Sequence, residues 1–175
     1  MATSGFAHFD TAIGRCRIAW GEHGVTGVRL PPTNGDALPA RMHDSAPPPE
    51  VQHAIDAIVA LLNGEAIDLR NVTLDMDGVP PFHQRVYEVA RSIAAGATLT
   101  YGEIAARIGE PGAARAVGVA LGRNPFPIIV PCHRVLAAGG KAGGFSAPGG
   151  VKTKLRLLEI EGAPLGSDGG EPQLF

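Results

Sequence analysis

Residues 100–122, TYGEIAARIGEPGAARAVGVALG, decide how the second half of this chain folds. Thr100 and Glu103 have the spacing of a capping box. In that motif the Thr hydroxyl accepts from the N–H three residues on, and the Glu carboxylate reaches back to the Thr N–H. The spacing predicts a short helix over Tyr101–Ile108, stopped by Gly109-Glu110-Pro111. A second helix is expected over Gly112–Gly122, three or four residues later. Two short helices joined by a tight Gly-containing turn read as a helix-turn-helix. The second helix has an odd interior: Val117, Ala120 and Leu121 form a buried stripe, while Arg115, Gly118 and Gly122 share another face. Each interior Gly costs a helix about 1 kcal/mol relative to Ala. Two on one face point to close approach by something, either a nucleic acid or a packed neighbouring helix.

Upstream, Asp77-Gly78-Val79-Pro80-Pro81 reads as a boundary. It separates an N-terminal domain, residues 1–78, from a C-terminal domain, 79–165, with a flexible tail at 166–175. Strands are expected at Phe6–Phe9, Ile13–Trp20 and Val25–Leu30, with Gly14, Gly21 and Gly24 at the turns of a β-meander. A helix from about Glu50 to Leu62 presents Val51, Ala54, Ile55, Ile58 and Leu62 on one face. A further strand is expected near Val72–Met76, and Phe82, Val86, Val89 and Ile93 keep helical spacing. The fold class is therefore α/β: a small β-meander plus helix, then a helical domain with a helix-turn-helix of the winged kind.

Composition narrows the class. With 45% hydrophobic and 18% charged residues the chain can build a core and is not a disordered one. Two cysteines, Cys16 and Cys132, exclude a disulfide framework. The sequence has no run of eighteen apolar residues and no signal-peptide pattern, so no membrane partner and a cytoplasmic location are expected. The net charge of −2 hides two unlike halves: residues 1–78 hold five Arg against ten Asp and Glu, whereas 79–165 hold ten Arg and Lys against five Glu. A basic module attached to an acidic one suits a polyanion partner for the C-terminal half.

Downstream, Ile128-Ile129-Val130 reads as an apolar strand feeding Pro131-Cys132-His133-Arg134-Val135. A thiol becomes a strong nucleophile when a base or cation stabilises its thiolate, and His133 and Arg134 offer both beside Cys132. Adjacent side chains on a straight strand face opposite ways, so the pair needs a bend or a bridging water. A catalytic histidine usually needs a third group to orient it. Glu161 and Glu159 are the candidates, on a last helix over Val151–Glu161 with Val151, Leu155 and Leu158 as its core stripe. Glu161 lies at the edge of that stripe and is preferred; its alternative fate is a salt bridge with Lys154.

Taken in order, Thr100-Tyr101-Gly102-Glu103-Ile104-Ala105, Arg115-Ala116-Val117-Gly118, Asn124-Pro125, Pro131-Cys132-His133-Arg134-Val135, Gly144-Phe145-Ser146, Gly149-Gly150 and Leu157-Leu158 with Glu161-Gly162 resemble the O6-alkylguanine-DNA alkyltransferase family. The resemblance implies a single-turnover transfer of an alkyl group from O6 of a flipped-out guanine in double-stranded DNA, and leaves open whether O4-alkylthymine is a further substrate. It implies Cys132 as acceptor, activated through water by His133, which Glu161 orients. Asn124 would brace the nucleophile's turn and Tyr101 would donate to the departing guanine. Arg115 would fill the vacated stack, with Ala114, Gly118, Arg123 and Arg134 at the DNA. Val135, Phe145, Ser146 and Lys154 would line the substrate pocket.

Two departures stand out: Ala147-Pro148 are extra residues after Ser146, and Phe145 replaces a frequent Tyr. Some relatives hold a structural zinc in the N-terminal domain. Here Cys16, His8, His23, His43 and His53 have no ligand-like spacing, so neither metal nor cofactor is expected. A monomer is expected. Rival classes are a lesion-binding module without chemistry, which Cys132 argues against, and a cysteine hydrolase, which would turn over repeatedly. A plain transcription factor would need more polar base-reading side chains than 112–122 carries.

Overall fold

Three antiparallel strands open the described chain in the order β1-β2-β3: β1 Gly5–Thr11, β2 Gly14–Gly21 and β3 Gly24–Arg29. The computed structural model describes residues 4–33, 44–143 and 150–163. The alternation expected of a half-buried meander is present. Cys16, Ile18 and Trp20 of β2 point into the core, with Val25 and Val28 of β3 beside them. Helix α1, Pro49–Leu62, starts on a Pro whose missing N–H costs nothing at a first helical position. It covers the sheet with Ala54, Ile55, Ile58 and Leu62.

The segment expected as a strand near Val72–Met76 instead makes one isolated bridge, Leu74 with Val25. Val25 donates to the Thr73 carbonyl at 3.0 Å and accepts from Asp75 at 2.8 Å, and no longer ladder forms. Helix α2, Pro81–Arg91, follows and buries Val86, Tyr87 and Ala90. A two-residue strand β4, Leu99–Thr100, leads into α3, Tyr101–Arg107, and α4, Ala114–Gly122. The capping box is present on both sides: Glu103 N–H donates to Thr100 Oγ1 at 3.1 Å, and Thr100 N–H donates to Glu103 Oε1 at 3.0 Å. α4 begins two residues later than expected, because Glu110–Ala113 form a turn closed by Ala113 N–H on the Glu110 carbonyl.

After α4 the backbone departs from the sequence reading. Ile128–Val130 is not a strand. Ile128 has φ 75°, in the left-handed region, and Val130 N–H closes back on the Phe126 carbonyl at 2.8 Å. A β-branched residue in that region stores roughly 1–3 kcal/mol. Pro131 then makes an inverse γ-turn, φ −80° and ψ 68°, with Cys132 N–H on the Val130 carbonyl. Cys132–Arg134 form one 3-10 turn, and β5, Val135–Leu136, pairs in parallel with β4. Helix α5, Gly150–Ile160, closes the described chain. Its buried stripe is Lys154, Leu157 and Leu158, whereas Val151 and Leu155 are only partly covered, so the expected stripe is rotated by about one position. One apolar cluster runs from β1 to α5, and Val28 N–H on the Pro125 carbonyl, 3.0 Å, joins the sheet to the loop before Cys132.

Candidate active site

The 3-10 turn supplies the bend that a Cys-His pair needs. Cys132 is 7% exposed and His133 fully buried. His133 Nε2 lies 2.9 Å from Glu161 Oε2. An ionised carboxylate only accepts, so Nε2 carries the hydrogen and Nδ1 keeps its lone pair. That Nδ1 is buried without a partner among the described residues. Desolvation lowers the pKa of His133, against the pull of Glu161, so the ring rests neutral as a base.

Glu161 is held in turn by Arg134. The guanidinium Nε donates to Oε1 at 2.9 Å and Nη2 to Oε2 at 2.7 Å, while Nη1 donates to the Ile93 carbonyl at 2.6 Å. Burial alone would raise the Glu161 pKa, but hydrogen bonds and charge from His133 and Arg134 win and bring it down to about 2. Arg134 is therefore buried and committed, and its expected place at the DNA is corrected: its donors face inward to a carboxylate and a carbonyl. The salt bridge between Glu161 and Lys154 does not form either. Lys154 Nζ donates to the Val135 carbonyl at 2.6 Å and sits 5.8 Å from the centroid of the Tyr101 ring.

Burial pushes the Cys132 thiol up, with a hydrogen bond from Asn124, the Lys154 charge and two backbone N–H groups acting the other way. Lys154 itself is pushed down to about 8 by desolvation, partly offset by Cys132. The resting state is a thiol, and its proton needs a base. Asn124 ties the loop together, donating to the Val130 carbonyl at 2.9 Å and accepting from Phe126 N–H at 2.8 Å. Val135 is buried, its N–H engaged with Cys132 and its carbonyl with Lys154, which leaves one carbonyl lone pair for a ligand. Phe145 and Ser146, and the extra Ala147-Pro148, lie outside the described residues.

The face of α4 is separate from this network. Arg115, Gly122 and Arg123 are exposed, Ala114 and Gly118 partly so, and Val119 stands 48% open to solvent. A Cβ built on Gly118 or Gly122 would meet nothing within 4 Å among the described residues, which removes the packed-helix explanation of the two glycines. The opposite stripe is locked: Tyr87 Oη donates to the Ala120 carbonyl at 2.7 Å. Sequence reading missed the Arg134–Glu161 clamp and the Lys154–Val135 bond, since neither local spacing nor periodicity marks which polar side chains turn inward. Among the described residues no group of three or more His, Cys, Asp or Glu is placed to hold a metal, and no helix is long and apolar enough to cross a membrane.

A buried thiol and a neutral histidine set beside a helix-turn-helix with one open face fit a DNA-binding protein that reacts through a cysteine. The family model for the DNA-binding domain of 6-O-methylguanine DNA methyltransferase matches residues 81–163. A methylated-DNA--protein-cysteine methyltransferase of Methanothermobacter thermautotrophicus is 43% identical over 85% of this chain and 80% of its own length. One from Mycobacterium tuberculosis is 43% identical over 87% of this chain and 88% of its own. The crystal structure of Mycobacterium tuberculosis OGT in complex with DNA superposes with TM-score 0.75 at 39% identity, covering 91% of this chain and 95% of that one. That of the O6-methylguanine methyltransferase from the same organism gives TM-score 0.76 at 38% identity, covering 96% and 97%. The chain belongs to the methylated-DNA--protein-cysteine methyltransferase family.

Proposed function

We propose that this protein reverses O6-alkylguanine lesions in double-stranded DNA, as a monomer in the cytoplasm, by moving the alkyl group onto Cys132. The observation that carries the assignment is the chain of contacts Arg134–Glu161–His133, which ends on an unpartnered Nδ1 in the turn that holds Cys132. His133 Nδ1 takes the thiol proton through a water, and Sγ attacks the alkyl carbon. The carbon–O6 bond breaks, and its electron pair leaves with guanine, which Tyr101 stabilises by donating from its hydroxyl. The thioether formed has no leaving group that water can displace, so each molecule acts once.

The target atom is inaccessible within the stack, so the nucleotide must be extruded, which costs a few kcal/mol. The open Gly118–Gly122 face of α4 suits close approach to the groove, with Arg115 at the gap. Cys16 makes an internal contrast. It is fully buried and its thiol is pushed up to about 11, chiefly by desolvation, so it stays protonated and out of reach. Intact-mass analysis after mixing with an O6-methylguanine duplex should show one methyl per protein, and peptide mapping should place it on Cys132. Repeated turnover, or label on Cys16, would overturn the assignment.

A further inference from the structure

On the solvent side of α4 one side chain stands apart. Arg115, Ala116, Val119 and Gly122 are exposed, and Arg123 at the C-cap continues the row. Residues three and four apart are neighbours on a helix surface. Val119 is therefore bordered by Arg115 and Ala116 behind it and by Gly122 and Arg123 ahead. It is 48% exposed, and among the described residues no other large hydrophobic side chain is exposed. The core does not need it: the buried stripe of α4 is Val117, Ala120 and Leu121, and Val119 belongs to neither apolar cluster. A β-branched residue also favours a helix less than Ala would. The result is one branched apolar side chain on an otherwise flat face, with an arginine one turn to either side.

That face belongs to the DNA-binding domain, and its chemistry says which edge of the bases it can meet. A helix with ordinary side chains is about 10–12 Å across, whereas the minor groove is about 6 Å wide and the major groove about 12 Å. Reading the major groove takes polar side chains aimed at base edges. Between Arg115 and Arg123 the exposed positions offer only Ala116, Val119 and Gly122. A face cut down to small residues suits the narrower groove instead. On that floor A·T and T·A pairs show acceptors alone, and a G·C pair adds one donor, the N2 amino group of guanine. A methyl group resting over that donor displaces its water and gives it no acceptor. We infer that Val119 reads the base pairs flanking the lesion, disfavouring a G·C pair beneath its methyls and favouring A·T there. The inference rests on α4 lying on DNA with Arg115 at the gap. Val119 follows Arg115 by four positions. That is about 6 Å along the helix, so the pair read lies about two base steps from the extruded nucleotide.

Inosine differs from guanine by that amino group alone and still pairs with cytosine. Single-turnover repair of O6-methylguanine should be compared on duplexes carrying a G·C or an I·C pair at successive positions close to the lesion, on either side. At one of these positions the unmodified protein should repair the I·C duplex roughly three- to tenfold faster. The compared duplexes carry the same phosphates, so the ratio should hold as salt is raised. Val119→Thr keeps the shape and supplies an oxygen for the amino group, and Val119→Ala withdraws both methyls. Either change, at an exposed position where folding tolerates it, should shrink the ratio there and leave it unaltered at the other positions. A ratio of one throughout in the unmodified protein overturns the inference. So does a ratio kept in either variant. Kept in Val119→Ala, it belongs to the arginines, to groove width or to the pairing strength of inosine. Kept in Val119→Thr, it is set by bulk rather than by the stranded donor. Free O6-benzylguanine has no flanking pairs, and a variant slowed equally on that base would make Val119 structural, which also overturns the inference. Arg115→Ala measured alongside tests the premise: equal loss on duplex and free base would take α4 off the DNA, a different outcome from repair without context preference.

Discussion

Glu161 Oε2 accepts from His133 Nε2 at 2.9 Å and from Arg134 Nη2 at 2.7 Å, so one buried oxygen ties the imidazole to the guanidinium. The two bonds do different things. The bond to His133 selects the tautomer whose Nδ1 is free to take a proton. The bond to Arg134 keeps the carboxylate ionised where burial would otherwise neutralise it. A carboxylate held this way can orient a ring and stabilise the imidazolium that forms, without itself taking the proton.

Glu161→Gln should therefore slow transfer to Cys132 strongly and raise the apparent pKa of that thiol. Glu159, two residues earlier and exposed on the other side of α5, should tolerate the same change with little loss. Single-turnover rates of the two variants across pH decide the matter. Equal effects would mean that the orienting carboxylate is misassigned.

Arg134 invites a test that separates scaffold from DNA contact. Removing one partner of a buried ion pair costs about 3–5 kcal/mol, because the other charge is left uncompensated. Arg134→Gln should lower the denaturation midpoint accordingly, and Arg134→Lys should recover part of the loss, keeping charge without the fork that grips both carboxylate oxygens. Affinity for undamaged duplex should keep its salt dependence in the Gln variant, measured where that variant is folded, since Lys could take over a phosphate contact. A slope reduced by about one phosphate contact would place Arg134 on the DNA after all.

How much of this could be read beforehand follows from the range of each interaction. The meander, α1 and the capping box at Thr100 are local, and periodicity or a three-residue spacing reveals them. Glu161 was legible as a candidate because helical phase puts it beside a core stripe. The phase itself was off by a position, since Lys154 looks like a surface residue until Val135 offers it a carbonyl. Ile128–Val130 misled for a physical reason. Three β-branched residues read as a strand by propensity, but Pro127 and Pro131 bracket them, and the Asn124 side chain holds the segment as a loop with Ile128 in the left-handed region. The expected contact of Arg134 with DNA failed because charge is a poor guide to exposure where a buried carboxylate is available. That His8 of β1, Arg17 of β2 and Arg29 of β3 lie in one row across the sheet depends on strand register, which the hairpin turns set and composition does not show.

Stability should fall steeply in acid, with two groups contributing in the same direction. The Glu161 pKa is about 2 in the fold against 4.5 when unfolded. Its contribution, roughly 3 kcal/mol from that difference, is complete above pH 4.5 and lost as pH falls toward 2. His133 is buried neutral with its pKa below 6.5, so the unfolded chain gains a proton first and stability declines below that pH. Urea midpoints measured from pH 7 to 2 should drop throughout that range, and Glu161→Gln should flatten the lower part of the curve. An unchanged acid limb in that variant would mean that other carboxylates carry the effect.

Arg115 separates DNA handling from chemistry. It lies exposed on the open face of α4, away from the buried Arg134–Glu161–His133 chain. Extruding a nucleotide costs a few kcal/mol of pairing and stacking, and a planar side chain filling the gap offsets part of it. A free O6-benzylguanine base needs no extrusion and carries no phosphate. Arg115→Ala should thus slow repair of duplex DNA by roughly one to two orders of magnitude, while reaction with the free base changes little. Arg115→Lys should recover only part of the loss, because an ammonium can pair with phosphate but stacks poorly between bases. Both substrates should be followed under single-turnover conditions at one salt concentration, since phosphate contacts weaken as salt rises. Equal loss on duplex and free base in the Ala variant would make Arg115 a structural or pocket residue. The α4 face would then have to be taken off the DNA.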